Sequence, residues 1–160
     1  MTDPTEIWTR LDHAHDADDS ETLKSLLTLV PRAEWDSLIV SAVCTGAVNC
    51  VRAYVAAGMD PAQDYEGGTL ISYAAGFESP EMVRTLLELG TPLTGVILVA
   101  AAHSGSVPMV KLLLEEGVDP DQGNPGFPTA LGTARAFGHH EMEQLLLKHG
   151  ATIEVAPSDR

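Results

Sequence analysis

The feature that most restricts how this chain can fold is a glycine that closes a leucine-rich run and then recurs. Gly58, Gly90, Gly117 and Gly150 occupy that place at successive intervals of 32, 27 and 33 residues. A period in this range marks stacked repeats, in which each unit is too small to bury its apolar face alone and buries it against a neighbour. The stretch from Ala100 to Pro120, AAAHSGSVPMVKLLLEEGVDP, displays the unit: an apolar helix, a turn, a second helix carrying the leucines, and a glycine before Asp-Pro. The chain therefore reads as all-α, with about five helix-turn-helix repeats at 5–30, 37–60, 69–92, 96–119 and 129–152, the first one divergent.

Local chemistry supports these boundaries. In the third repeat Ser79 is placed to cap the second helix, Pro80 occupies its first turn, and Gly90 can take the left-handed conformation that ends it. Ala42, Ala74, Ala101 and Ala134 recur at one phase, where neighbouring first helices have to approach closely. The first repeat is recognised by matching Glu21–Leu27 to Glu81–Leu87, which puts Val30 where later repeats carry glycine. Its outer face holds Asp12, His13, His15, Asp16, Asp18 and Asp19, as a solvated terminal cap requires. Residues 1–153 are expected to form a single domain, with 154–160 as a loose polar tail.

Composition narrows the partners. Twenty-three acidic residues stand against 9 Lys plus Arg, a formal net charge of -14, so nucleic acid and anionic membranes would meet long-range repulsion. A basic protein partner and plain solubility both fit that charge. No apolar run reaches the roughly 20 residues of a membrane span, and MTDPTEIWTRLDHAHD has neither the basic region nor the apolar core of a secretory signal, so a cytoplasmic protein is expected. The two cysteines, Cys44 and Cys50, form no CxxC motif and read as core thiols, with Cys44 at a position that can face outward.

Thr129, Leu131, Ala134, Gly138, His139, Leu145–Leu147, Gly150 and Ala151 in the fifth repeat follow the pattern T-P-L-H-x-A-A-x-x-G-H and V-x-L-L-L-x-x-G-A. Thr69, Ile71, Ala74, Ala75, Val83, Leu86, Leu87 and Gly90 follow it in the third, and Ala101, Ala102, Gly105, Val110, Leu112–Leu114, Gly117 and Asp119 in the fourth. The chain thus resembles the ankyrin repeat family over roughly Ser20 to Ile153. It departs from the family at two places in every repeat: Leu38, Leu70, Ile97 and Ala130 replace the pattern's Pro, and Val40, Ser72, Val99 and Gly132 replace its first His. The resemblance implies an ankyrin-repeat solenoid, monomeric when free and without cofactors. It also implies a concave groove of first helices and inter-repeat fingers that binds a protein, backed by a convex layer of second helices.

On that scheme Lys24, Arg52, Arg84 and Lys111 fall at one position of successive second helices, on the back. The fingers are acidic and aromatic. Trp35, Asp36, Asp64, Tyr65, Glu66, Asp119, Asp121 and Phe127 lie in them, and Tyr73, Phe77, His103 and Phe137 occupy variable first-helix positions. These twelve residues form the expected partner-binding face, since aromatic anchors beside steering charges suit a specific interface. Phe77 and Phe137 fit equally well as packing between repeats.

The sequence offers little chemistry. GxxxxGK[ST], GxGxxG, HExxH and GxSxG are all absent, and His13 with His15 would point in different directions on a helix, so no catalytic or metal site is expected. His103 beside Glu78 or Asp64 is the one arrangement a small hydrolase could use. The reading that follows is a non-catalytic binder of a basic protein, either an inhibitor or immunity-type protein that blocks an enzyme, or an adaptor that recruits a partner.

Overall fold

The computed structural model of the chain describes residues 4–65 and 67–155, so Glu66 lies outside the described residues. Among them the helices come in pairs: α1 (Pro4–Asp16) with α2 (Ser20–Leu27), α3 (Trp35–Thr45) with α4 (Val48–Ala56), and α5 (Leu70–Gly76) with α6 (Pro80–Glu88). Two more pairs follow, α7 (Gly95–Ser104) with α8 (Val107–Glu115) and α9 (Ala130–Phe137) with α10 (His140–Lys148). A turn of 3-10 helix at Arg32–Glu34 leads into α3, and a short antiparallel hairpin joins β1 (Asp64–Tyr65) to β2 (Gly68–Thr69). The residues group into two compact units, one of Met1–Ala74 with Glu81–Thr91, the other of Ala75–Pro80 with Pro92–Arg160.

The repeat glycines act as helix terminators. Gly58, Gly90, Gly117 and Gly150 have φ between 91° and 94°, a conformation that only glycine adopts without strain. The turns inside the helix pairs need the same left-handed residue. Gly46, Gly105 and Gly138 supply it in three of them, and Asp18 (φ 50°) and Glu78 (φ 54°) supply it after α1 and α5. Ala42 and Ala74 in the first unit, and Ala101 and Ala134 in the second, are completely buried, in keeping with close approach of the first helices. Leu23, Leu26, Ile39, Val51 and Tyr54 fill the first unit, and Leu98, Val110, Leu113, Leu131 and Leu146 the second.

The first repeat departs from the solvated cap in a specific way. His15 is buried, with Nε2 hydrogen-bonded to Tyr54 Oη at 3.0 Å, because Leu11, Ala14 and His15 share the inward face of α1. Asp18 is not simply a surface charge either. Its carboxylate accepts the Cys50 N–H at 3.0 Å and the Asn49 amide at 2.8 Å, near the start of α4, whose own N-cap residue Ala47 has no side chain able to do so. Asp19 caps α2 through the N–H groups of Glu21 and Thr22. Cys50 is buried and its thiol is pushed up to about 12 by burial and by Asp18, which suits a core thiol, while Cys44 is half-buried.

Other connections are fastened in the same manner. Arg32 donates to the carbonyls of Ala57 and Gly58 at 3.1 and 2.8 Å, at the C-terminal end of α4, with its guanidinium 4.3 Å from the Trp35 ring centre. Thr91 donates to Pro61 O at 3.2 Å. In the second unit Pro128 and Val155 form an antiparallel bridge, and Thr129 donates its N–H to Glu154 O and its hydroxyl to Ile153 O. Glu154 and Val155, the start of the segment expected to be loose, are therefore held against α9; residues 156–160 lie outside the described residues. On the second helices Lys24, Arg52 and Lys111 are each answered by a carboxylate, from Glu21, Glu88 and Glu115 respectively.

Asp18→Ala removes both a helix cap and a residue tolerant of positive φ, and should lower stability by about 1–3 kcal/mol. Asp18→Gly, which keeps the backbone freedom, should lose less, and Asp18→Asn least. Urea denaturation followed by circular dichroism checks the order.

Candidate protein-binding surface

The second unit exposes a connected set of apolar side chains. On α7, Ile97, Leu98, Ala101 and Ala102 turn inward, which leaves Val96, Val99, Ala100 and His103 on the other side at helical spacing. On α9, Ala130, Leu131, Thr133 and Ala134 are buried, and Phe137 stands out at the C-terminal end. Between these helices and the 119–129 finger lies a pocket of about 210 Å³, lined by Val96, Val99, Asn124, Phe127, Pro128 and Thr133. Phe127 and Phe137 are 65% and 55% exposed. The Phe137 ring lies between two imidazoles, with His103 at 4.8 Å and His139 stacked at 6.0 Å between ring centres.

The finger that carries Phe127 is held at both sides. Gln122 Oε1 accepts the Gly95 N–H at 2.9 Å, a cap for α7 that Thr94 does not provide, and a Cβ at Gly95 would lie 2.2 Å from the Gln122 carbonyl oxygen. Asp121 accepts the N–H groups of Thr152 and Ile153 at 2.8 and 3.1 Å and the Thr152 hydroxyl at 2.5 Å. Burial opposes ionisation of Asp121, but those three donors hold its carboxyl below the usual carboxylate range. Asp119 accepts the Asp121 N–H at 3.0 Å and remains exposed. Arg135, beside Phe137 in sequence, is engaged by Glu143 and Glu154.

The Ankyrin repeat family matches over residues 97–125, the stretch that covers most of α7, all of α8 and the first part of this finger. The human ASB11 ankyrin repeat domain, known from a crystal structure, is 23% identical and superposes with a TM-score of 0.70, over 89% of this chain and 69% of that one. No curated protein matches the sequence. The chain has the ankyrin-repeat fold. Ankyrin repeats are generally protein–protein interaction modules and generally non-catalytic.

Within this ankyrin-repeat chain the twelve expected residues divide sharply. In the first unit Tyr65 is 1% exposed and donates to Asp60 O at 2.6 Å, so it packs inside and is not offered to a partner. The reason is the hairpin, where strand alternation sends Asp64 outward and Tyr65 inward. Tyr73 is half-buried and donates to Tyr65 O at 3.1 Å. Trp35 is half-buried between Arg32 and the Tyr54 edge and donates to Val30 O at 3.3 Å. Asp36 and Asp64 are exposed.

In the second unit His103, Phe127 and Phe137 are exposed, and His103 and Phe137 are in ring contact. Phe77 is 60% exposed, whereas Phe137, 55% exposed, meets His103 of the preceding repeat on one side and, His139 apart, is open on the rest. Val96, Val99, Asn124, Pro128 and Thr133 belong to the surface without having been singled out. Periodicity could not find the valines, because α7 reads GVILVAAAHS and is apolar on every side. Among the described residues no carboxylate pairs with His103, and no group of three metal-ligating side chains occurs. None of the described helices is long and apolar enough to cross a membrane.

Gly95→Ala should drive the finger off α7 and lower stability by about 1–3 kcal/mol, roughly 2–9 °C in Tm for a chain of this size. Limited proteolysis should then cut within 119–129, where the wild-type chain resists. A fully stable, protease-resistant Gly95→Ala would contradict the close contact.

Proposed function

We propose that the chain is a non-catalytic protein-binding module that takes its partner on the face formed by α7, α9 and the 119–129 finger. The observation that carries this reading is a pair of large aromatics left open on an otherwise acidic chain, Phe127 lining an apolar pocket and Phe137 at the end of α9. Exposed aromatic side chains are the usual anchors of an interface, since they bury much area with little conformational entropy lost. The general role of ankyrin repeats supports the same reading. Among the described residues His103 meets the Phe137 ring and pairs with no carboxylate, which counts against the hydrolase alternative.

The proposed partner is basic. The net charge of -14 would speed encounter with a cationic surface and slow it with an anionic one, and exposed Asp36, Asp64 and Asp119 add to that field. Contact with such a partner would make the chain an inhibitor where it covers an active site and an adaptor where it does not.

Selection from a displayed random-peptide library tests the proposal. The peptides retained should carry an aliphatic or aromatic anchor flanked by Lys or Arg, and Phe127→Ser with Phe137→Ser should weaken their binding by at least tenfold. Glu substituted for exposed Arg84 on α6 should leave binding intact or strengthen it. Retention that is indifferent to both phenylalanine changes would remove the face assignment, and selection of acidic peptides would remove the charge assignment.

A further inference from the structure

α1 is held by a thin seam. It is 13 residues long, and Leu11, Ala14 and His15 are its buried side chains among the described residues. The His15 ring is 2% exposed, and among the described residues its one hydrogen bond runs between Nε2 and Tyr54 Oη, while Nδ1, equally enclosed, has no partner there. Either neutral tautomer leaves one unsatisfied nitrogen, a moderate cost, whereas the imidazolium would leave a charged N–H donor without an acceptor inside the core. The seat therefore fits the neutral ring only.

The neighbouring groups are few. Asp12 and Asp16 on α1 itself favour the charged ring, but both are exposed. From α4 come the Tyr54 hydroxyl and the Cys50 thiol, the latter donating to Ala14 O at 3.5 Å, and both are held in their neutral forms by burial. α3 contributes the Trp35 ring against Tyr54, and the buried side chains of α2 are Leu23, Leu26 and Leu27. No carboxylate replaces the lost water at Nδ1. Desolvation outweighs the two aspartates, and His15 titrates below the ordinary imidazole range.

We propose that His15 is a proton-operated latch on α1: the neutral ring holds the helix to α4 through Tyr54, and protonation releases α1 locally while the second unit stays folded. The sign follows from proton binding. Released α1 takes up a proton at the ordinary histidine value near 6.5 and seated α1 does so less readily, so the released form binds more protons below that pH and closure weakens as pH falls. Above it the latch is fully closed.

Hydrogen exchange of the full chain at pH 7.5 and 5.5, with rates corrected for intrinsic pH dependence, tests the latch while carboxylates stay ionised. Peptides from α1 should lose up to about tenfold in protection, the limit set by one unit below the free histidine value, and peptides from α7 to α10 should not change. In His15→Phe the α1 loss should disappear. A second reading needs no variant: the His15 NMR signal should titrate with a lower midpoint in the native chain than in denaturant. Unchanged α1 protection in the wild type, an equal loss across all helices, the same loss in His15→Phe, or a His15 midpoint at or above the denatured value would each overturn the proposal.

Discussion

Short helices set the terms of this structure. An α-helix leaves four N–H groups and four carbonyls without partners inside it, so in helices of 7 to 9 residues such as α5 and α4 the unpaired end groups rival the paired ones in number. The chain meets that demand from outside each helix. Asp18 serves the start of α4, Arg32 its end, and Gln122 the start of α7. Asp121 closes the segment after α10. Within the first unit Asp18 joins the first repeat to the second, and within the second unit the 119–129 finger is tied to α7 by Gln122 and to the end of the fifth repeat by Asp121. This is the sense in which a single repeat cannot stand alone.

That constraint also sorts the surface into what is occupied and what is free to act. Acidic residues in the connections look like partner-facing charge, yet Asp18 and Asp121 spend their carboxylates on backbone N–H groups. Tyr65 in the hairpin and Trp35 at the start of α3 both pack inward with their polar atoms satisfied by carbonyls. Phe127 and Phe137 have no such role and stay open. On the proposed reading, aromatic area for adhesion and diffuse negative charge for steering would be carried by different residues, which is how encounter and grip are commonly divided at interfaces.

How much of this was legible from the sequence depended on the range of the interaction. The glycines at 58, 90, 117 and 150 revealed the helix pairs because one residue type answers one backbone conformation. The buried face of α1 was legible in principle, since residues 11, 14 and 15 fall at helical spacing, but residue type pointed the other way for His15. The fastenings were not legible. Asp18 meets residues 31 and 32 positions away, and Asp121 likewise, and no local pattern encodes such pairs. The proposed binding surface was half legible: exposed phenylalanines could be named, while Val96 and Val99 were hidden in a helix apolar on all sides.

The measurement that bears most directly on shared fastening is amide exchange by NMR at the four N–H groups whose acceptors come from distant side chains, those of Cys50, Gly95, Thr152 and Ile153. If neighbouring repeats complete each other's helix ends, these amides exchange as slowly as helix-interior amides of the same unit. Exchange at the rate of open loops, with the helix interiors still protected, would contradict the account.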